Sequence, residues 1–300
     1  MRIKMLKICR VISFFILVTC IHNTYAKPTI EPLGPNIADT KSAYYDFKMK
    51  TFHSVDQLRT YKVWLAIPKE KKNQAKAVVY MLDGNAVMDR LKEPMLQKLY
   101  AYDAPVLVVI GYDTTLPFLS NARSVDYTPG RGDGKIEPDP RSPERMSGGS
   151  QTFRDFVTGP LVAWVNKEVE IDSKRVGLWG HSYGGLFVLD SMLHSDYFTH
   201  YFAASPSLAW ADQRMLNQIM QAKISNAAHK KLWLIEGDSQ QGGKPQNPNI
   251  SVDGIDQLRK ASRSLNQKQV RVKLVIYPQL THGEVFIPAM QEMFDQKLSN

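Results

Sequence analysis

Cysteine is almost absent from this 300-residue chain: the two present, Cys9 and Cys20, both fall within the first 26 residues. A chain trimmed after Ala26 keeps neither, which excludes disulfides, thiol nucleophiles and cysteine–zinc centres from the mature protein. Acids are missing from the start as well, where no Asp or Glu precedes Glu31 while Arg2, Lys4, Lys7 and Arg10 are basic. Long apolar runs are also lacking. The stretch VISFFILVTCI, from Val11 to Ile21, has the length of a secretory core and falls short of the ~20 residues a transmembrane helix needs. Thr24-Tyr25-Ala26 resembles a small-x-small cleavage site, so residues 1–26 read as an export signal and the expected location is the periplasm. An uncleaved N-terminal membrane anchor and a lipoprotein signal at Leu17-Val18-Thr19-Cys20 are the alternatives.

Residues 27–300 carry no internal repeat and no low-complexity tract, and they read as one domain. Apolar residues make up 43% of the chain and charged ones 22%, enough for a large single core and too little charge for disorder. The formal net charge of +9 falls to +5 once Arg2, Lys4, Lys7 and Arg10 are removed. That is a mild bias toward anionic ligands. Without a basic helix or an interleaved aromatic stripe it points away from nucleic acid, and no feature implies a protein partner.

From Tyr44 onward, strand-like and helix-like segments alternate. YYDFKMKTF and RTYKVWLAIP show near period-two patterning and predict an antiparallel pair at a sheet edge. AVVYML, PVLVVIG, VGLWG, HYFAAS, KLWLIEG and RVKLVIY are continuous apolar runs, as in strands covered on both faces. Helical spacing marks FRDFVTGPLVAWVNKEV, GGLFVLDSMLH, DQRMLNQIMQAK, ISVDGIDQLRKASRSLNQ and VFIPAMQEMFDQKL. The predicted fold is an α/β three-layer sandwich with a mostly parallel eight-stranded sheet. One segment, 129–149, is polar and rich in Gly, Pro and charge; it reads as a solvated insertion or as a flap over the site.

The chemistry-bearing motif is Gly180-x-Ser182-x-Gly184. Alone it is short enough to arise by chance, but the apolar strand Val176–Trp179 precedes it and a helix follows at once, the context of a nucleophile elbow. Such a turn forces the serine into strained φ/ψ, and side chains at Gly180, Gly184 or Gly185 are expected to collide with backbone. The helix start directs free N–H groups at Ser182, so the Tyr183 N–H is one expected oxyanion donor. The loop after the third strand, Asp83-Gly84-Asn85, should supply the second from Gly84 or Asn85, although a simple turn there explains the same residues.

Ser182 needs a base, and His282, after RVKLVIYPQLT and before the terminal helix, has the required place in the chain. His181 neighbours Ser182 but should point elsewhere. For the third member, Asp238 lies just past KLWLIEG; a turn-capping aspartate is the alternative. Serine ester hydrolysis by this set needs no metal and no cofactor.

The segments PLGPNIADT, VWLAIP, YMLDGNAVMDRL, RSVDYTP from Arg123, SGGSQTF, GLWGHSYGGLFVLDS and YFAASPSL resemble the enterochelin-esterase group of α/β-hydrolases, within it the IroE-type periplasmic siderophore esterases. The resemblance covers nearly all of residues 27–300. It implies an α/β-hydrolase fold and hydrolysis of enterobactin-like catecholate trilactones, including glucosylated salmochelin-type ones, by Ser182 and His282. Close relatives look like Ser–His dyads without a third acid, which would make Asp238 a bystander. This sequence departs by carrying Asp238 where a non-acidic residue is expected, and dyad and triad both stay open. The resemblance further implies a substrate-binding role for Arg123, whose guanidinium can meet electron-rich catecholates. A surface ion pair between Arg123 and Asp126 is the structural alternative. Competing functions are a general carboxylesterase or acyltransferase of the same fold, a serine peptidase, and a non-catalytic siderophore-binding protein; retention of both Ser182 and His282 speaks against the last.

Overall fold

In the computed structural model, residues 31–69, 75–239, 254–296 and 298 are described; the expected export signal, residues 1–26, lies outside them. Strands β1 (Tyr45–His53) and β2 (Thr60–Pro68) pair antiparallel, from Tyr45 opposite Pro68 to His53 opposite Thr60. Then come β3 (Lys76–Met81), helices α1 (Gly84–Arg90) and α2 (Glu93–Tyr102), β4 (Val106–Tyr112) and α3 (Ser120–Tyr127). The middle of the chain forms β5 (Glu137–Asp139), β6 (Ser142–Ser147), α4 (Ser150–Phe156) and α5 (Val162–Glu168), the two helices joined by a π turn at Val157–Leu161. The second half supplies β7 (Ile171–His181), α6 (Tyr183–His194), β8 (His200–Ala204), α7 (Arg214–Gln221), β9 (Lys231–Gly237), α8 (Gly254–Gln267), β10 (Arg271–Tyr277) and α9 (Phe286–Asp295).

Eight strands make one sheet in the order β1-β2-β4-β3-β7-β8-β9-β10. From β4 to β10 all neighbours are parallel, and β2 is the strand that runs against the rest. Side chains alternate between two cores. Val78 and Tyr80 of β3 face the core under α3 to α8, while Ala77, Val79 and Met81 face the one under α1, α2 and α9. Because both faces are covered, the strands read as unbroken apolar runs. The chain passes from β3 to β4 on one side and then returns to β7 on the other. That reversal creates a crevice at the carboxyl ends of β3 and β7, the usual ligand position of an open α/β sheet.

The polar stretch 129–149 folds as the hairpin β5–β6. Its anchor is Asp139, fully buried, which accepts hydrogen bonds from Ser124 Oγ at 2.7 Å, Tyr183 Oη at 2.9 Å, Trp210 Nε1 at 2.9 Å and the Arg141 N–H at 3.0 Å. Burial pushes this carboxyl upward, yet these donors hold it below its ordinary value. Arg214 adds an ion pair to Glu137 and a bond to the Pro129 carbonyl. A buried acceptor with several donors is costly to remove, because each donor is left without its partner. Asp139→Ala should therefore destabilise the protein by roughly 2–5 kcal/mol, read as a lowered urea midpoint; a change within about 0.5 kcal/mol would show that the hairpin is not held by this carboxylate.

Candidate functional site

Ser182 sits between the end of β7 and the start of α6 at φ 60° and ψ −115°. Such a conformation costs a non-glycine residue on the order of 1–3 kcal/mol and persists only where the surroundings impose it. Here the Ser182 N–H donates to the Ala204 carbonyl at 2.9 Å, and its own carbonyl accepts from Leu186 N at 3.2 Å and Ser207 N at 3.3 Å. A Cβ on Gly180 would lie 2.5 Å from the Gly184 carbonyl oxygen, and one on Gly185 would lie 2.9 Å from Pro206 Cα. Gly184 differs from expectation: its nearest contact would be Leu82 Cδ1 at 3.5 Å, ordinary van der Waals distance. The turn thus requires two of the three glycines to lack a side chain. The Ser182 hydroxyl is half-buried and bonds Ser207 Oγ at 3.2 Å.

Tyr183 heads α6, where main-chain N–H groups have no partner within the helix. The loop after β3 lies alongside, with Leu82 N bonded to the Trp179 carbonyl at 3.1 Å and Asp83 in the left-handed region at φ 53°. Gly84 is pressed onto β4, since a Cβ there would lie 2.6 Å from both Gly111 N and Ile110 C. The Asn85 side chain is tied to the same strand end: its Nδ2 donates to the carbonyls of Tyr112 at 3.1 Å and Thr114 at 2.8 Å, and its Oδ1 accepts from Tyr112 N at 2.9 Å. The expected loop Asp83-Gly84-Asn85 is thus shorter than it reads: Gly84 and Asn85 already open α1 and hold its start against β4, beside the serine turn.

Arg123, on α3, makes a bidentate pair with Asp83, Nε to Oδ1 at 2.9 Å and Nη2 to Oδ2 at 2.8 Å, and Nη2 reaches the His181 carbonyl at 3.5 Å. Only 14% of its side chain is exposed, with the rings of Phe118, Tyr127 and Tyr183 at 5.5 to 5.7 Å. The ion-pair alternative with Asp126 gives way to Asp83. Asp126 instead meets Arg59 Nε at 3.0 Å and the Tyr112 hydroxyl at 3.0 Å, and burial pushes its carboxyl up to about 7.

His282 follows β10 in a turn tightened by Glu284, which accepts from the Thr281 N–H at 2.8 Å and hydroxyl at 2.6 Å. Its main-chain carbonyl accepts a 2.7 Å hydrogen bond from His181 Nε2, and the two rings lie 5.0 Å apart. His181 does point away from Ser182, as alternation along a strand requires, but it points at the histidine loop. A carbonyl can only accept, so His181 carries its proton on Nε2. Burial, then the nearby His282, Arg123 and Arg90, push His181 down to about 3, and it stays neutral. Crowding by the protein, then the charges of Arg141 and Arg123, also push His282 down. His282 keeps open surface, and the water there moderates the shift without reversing it. A neutral imidazole at neutral pH is the form a general base requires. No hydrogen bond joins Ser182 Oγ to His282 here, and catalytic contacts commonly tighten only with substrate bound.

Asp238 does not hydrogen-bond His282. It is exposed, accepts from Gln279 N at 2.6 Å and donates its own N–H to the Tyr277 carbonyl at 3.1 Å, closing the connection between the ends of β9 and β10. Glu236 is likewise engaged, accepting from Ser205 Oγ at 2.7 Å and Gly237 N at 3.1 Å, with burial raising its pKa. Among the described residues, no carboxylate bonds the His282 ring, and no group of three or more His, Cys, Asp and Glu could hold a metal ion.

Comparison with known proteins adds an independent line. The esterase family model matches residues 56–295. The apo-salmochelin esterase of Escherichia coli O6:H1 is 40% identical over 268 residues, 89% of this chain and 84% of that protein. The ferri-bacillibactin esterase BesA of Bacillus subtilis is 35% identical over 54% of this chain and 59% of its own length. Among solved structures, the enterobactin and salmochelin hydrolase IroE superposes with a TM-score of 0.74 at 37% identity, covering 87% of this chain and 98% of that one. The glycine contacts yield a direct test. Gly180→Ala should give little folded protein, whereas Gly184→Ala should keep or slightly raise the melting temperature, since alanine suits a helix better by roughly 0.5–1 kcal/mol. Equal tolerance at both positions would contradict the packing of the turn.

Proposed function

We propose that this chain, which belongs to the esterase family, hydrolyses the ester bonds of enterobactin-like catecholate trilactone siderophores, glucosylated ones included, in the periplasm. The supporting observation is the strained serine turn backed by a neutral histidine loop, in a chain with such extensive identity to a salmochelin esterase. No helix among the described residues is long and apolar enough to cross a membrane.

In the proposed reaction, His282 takes the Ser182 hydroxyl proton as Oγ attacks a lactone carbonyl carbon. Negative charge gathers on the former carbonyl oxygen, toward the Tyr183 N–H and an N–H of Gly84 or Asn85. Collapse breaks the ester C–O bond, and His282 returns the proton to the departing alkoxide. Water, deprotonated by the same imidazole, then attacks the acyl-enzyme, freeing the opened siderophore as a carboxylic acid and restoring Ser182. Iron, when present, enters as part of the substrate.

Incubating the purified protein with apo and ferric catecholate trilactones and resolving products by mass tests this reading. Linearised siderophore is the expected product, and Ser182→Ala should lower kcat roughly ten-thousand-fold or more. Cleavage of a simple aryl ester with the trilactone left intact would reduce the assignment to a general carboxylesterase, and full activity in Ser182→Ala would remove the hydrolase mechanism.

A further inference from the structure

The cations around the site differ in what they are already bound to. Arg123 is taken up by Asp83, Arg214 by Glu137 and Arg59 by Asp126. Arg141, in the turn of the β5–β6 hairpin, is exposed and has no carboxylate partner among the described residues. Its main chain is nonetheless fixed, because its N–H donates to Asp139 at 3.0 Å while the same carboxylate grips Tyr183, the residue after the nucleophile, at 2.9 Å. The hairpin therefore presents an unneutralised guanidinium on a rigid support at the rim of the site. Its charge acts on both Tyr183 and His282.

We propose that Arg141 recognises substrate, pairing its guanidinium with the adjacent oxygens of a catecholate arm while a lactone carbonyl lies at Ser182. The inference rests on the siderophore reading above. A planar fork of N–H donors matches two neighbouring anionic oxygens bidentately, and catechol oxygens ionise more readily beside a fixed positive charge. Arg123 spends its fork on Asp83 and is mostly covered, whereas the Arg141 side chain is exposed.

The test compares Arg141→Gln with Arg145→Gln, which removes the same charge from the same hairpin, on an apo catecholate trilactone and on the neutral ester p-nitrophenyl acetate. For Arg141→Gln the trilactone KM should rise about tenfold, the effect of one lost charge-assisted hydrogen bond at a partly exposed site, with a clearly smaller loss on the acetate. Arg141→Lys should recover part of the loss, and Arg145→Gln should resemble the wild type. A second readout is the pH profile of kcat/KM on the acetate. His282 faces Arg141 from the hairpin, Arg123 from α3 and His181 from β7. A base works above its pKa, so the wild-type acid limb should fall below the ordinary 6.5 and toward about 4. Removing the Arg141 charge should move that limb to higher pH. An unchanged trilactone KM, or equal losses on both substrates, overturns the Arg141 assignment alone. A wild type that cleaves the acetate and leaves the trilactone intact overturns the siderophore reading, and the role of Arg141 with it.

Discussion

The backbone of Ser182 is the constraint on which the site depends. Held at φ 60°, it directs the hydroxyl outward at the head of α6 instead of letting it cap the helix, and the strain persists because β8 and the loop after it grip both ends of the residue. Gly180 and Gly185 let those partners approach closely enough to do so. The middle of a sheet buried on both faces is the part of such a fold least able to relax, so it can hold a costly turn. Burial of the surrounding strands thus becomes chemistry at one serine.

Two further locks converge on the end of β7. Arg123 joins Asp83, in the loop after β3, to the His181 carbonyl, and the His181 ring holds the main chain of His282. In a triad, an acid orients the base through its ring. Here the orienting contact falls on the backbone of the base, from a histidine kept neutral by burial and by like charges nearby. That contact fixes the position of the loop and places no hydrogen bond on the imidazole itself, as the proposed proton transfers by His282 require. The bidentate Arg123–Asp83 pair does the same for the turn between β3 and α1, where the proposed oxyanion donors Gly84 and Asn85 begin the helix.

Much of this was legible in the sequence. Six of the eight sheet strands are marked by continuous apolar runs, the edge pair β1 and β2 by near period-two alternation, and the serine turn by its place between strand and helix. Helices α1, α2 and α3 were not marked. α1 is short and opens on the Asp83-Gly84-Asn85 stretch that reads as a turn, and α3 buries Ser124 and Asp126 beside Ala122 and Tyr127, so no apolar stripe exists to be seen. The hairpin looked like surface because its one buried carboxylate, Asp139, is indistinguishable from exposed ones until the donors from α3, α6 and Trp210 are brought to it. The contact His181 makes with the histidine loop is hidden for a related reason. Alternation said where it would not point, but only tertiary structure brings the loop after β10 to the face it does point to.

The proposed chemistry rests on one atom, the Ser182 oxygen, acting as a nucleophile activated by its surroundings. The most direct measurement is intact-mass analysis followed by peptide mapping after treatment with diisopropyl fluorophosphate, which reacts with activated serines. A single phosphoryl adduct on the peptide bearing Ser182, strongly slowed in His282→Ala, is the expected result. No adduct, an adduct on Ser207 or Ser205 instead, or labelling indifferent to His282 would contradict it.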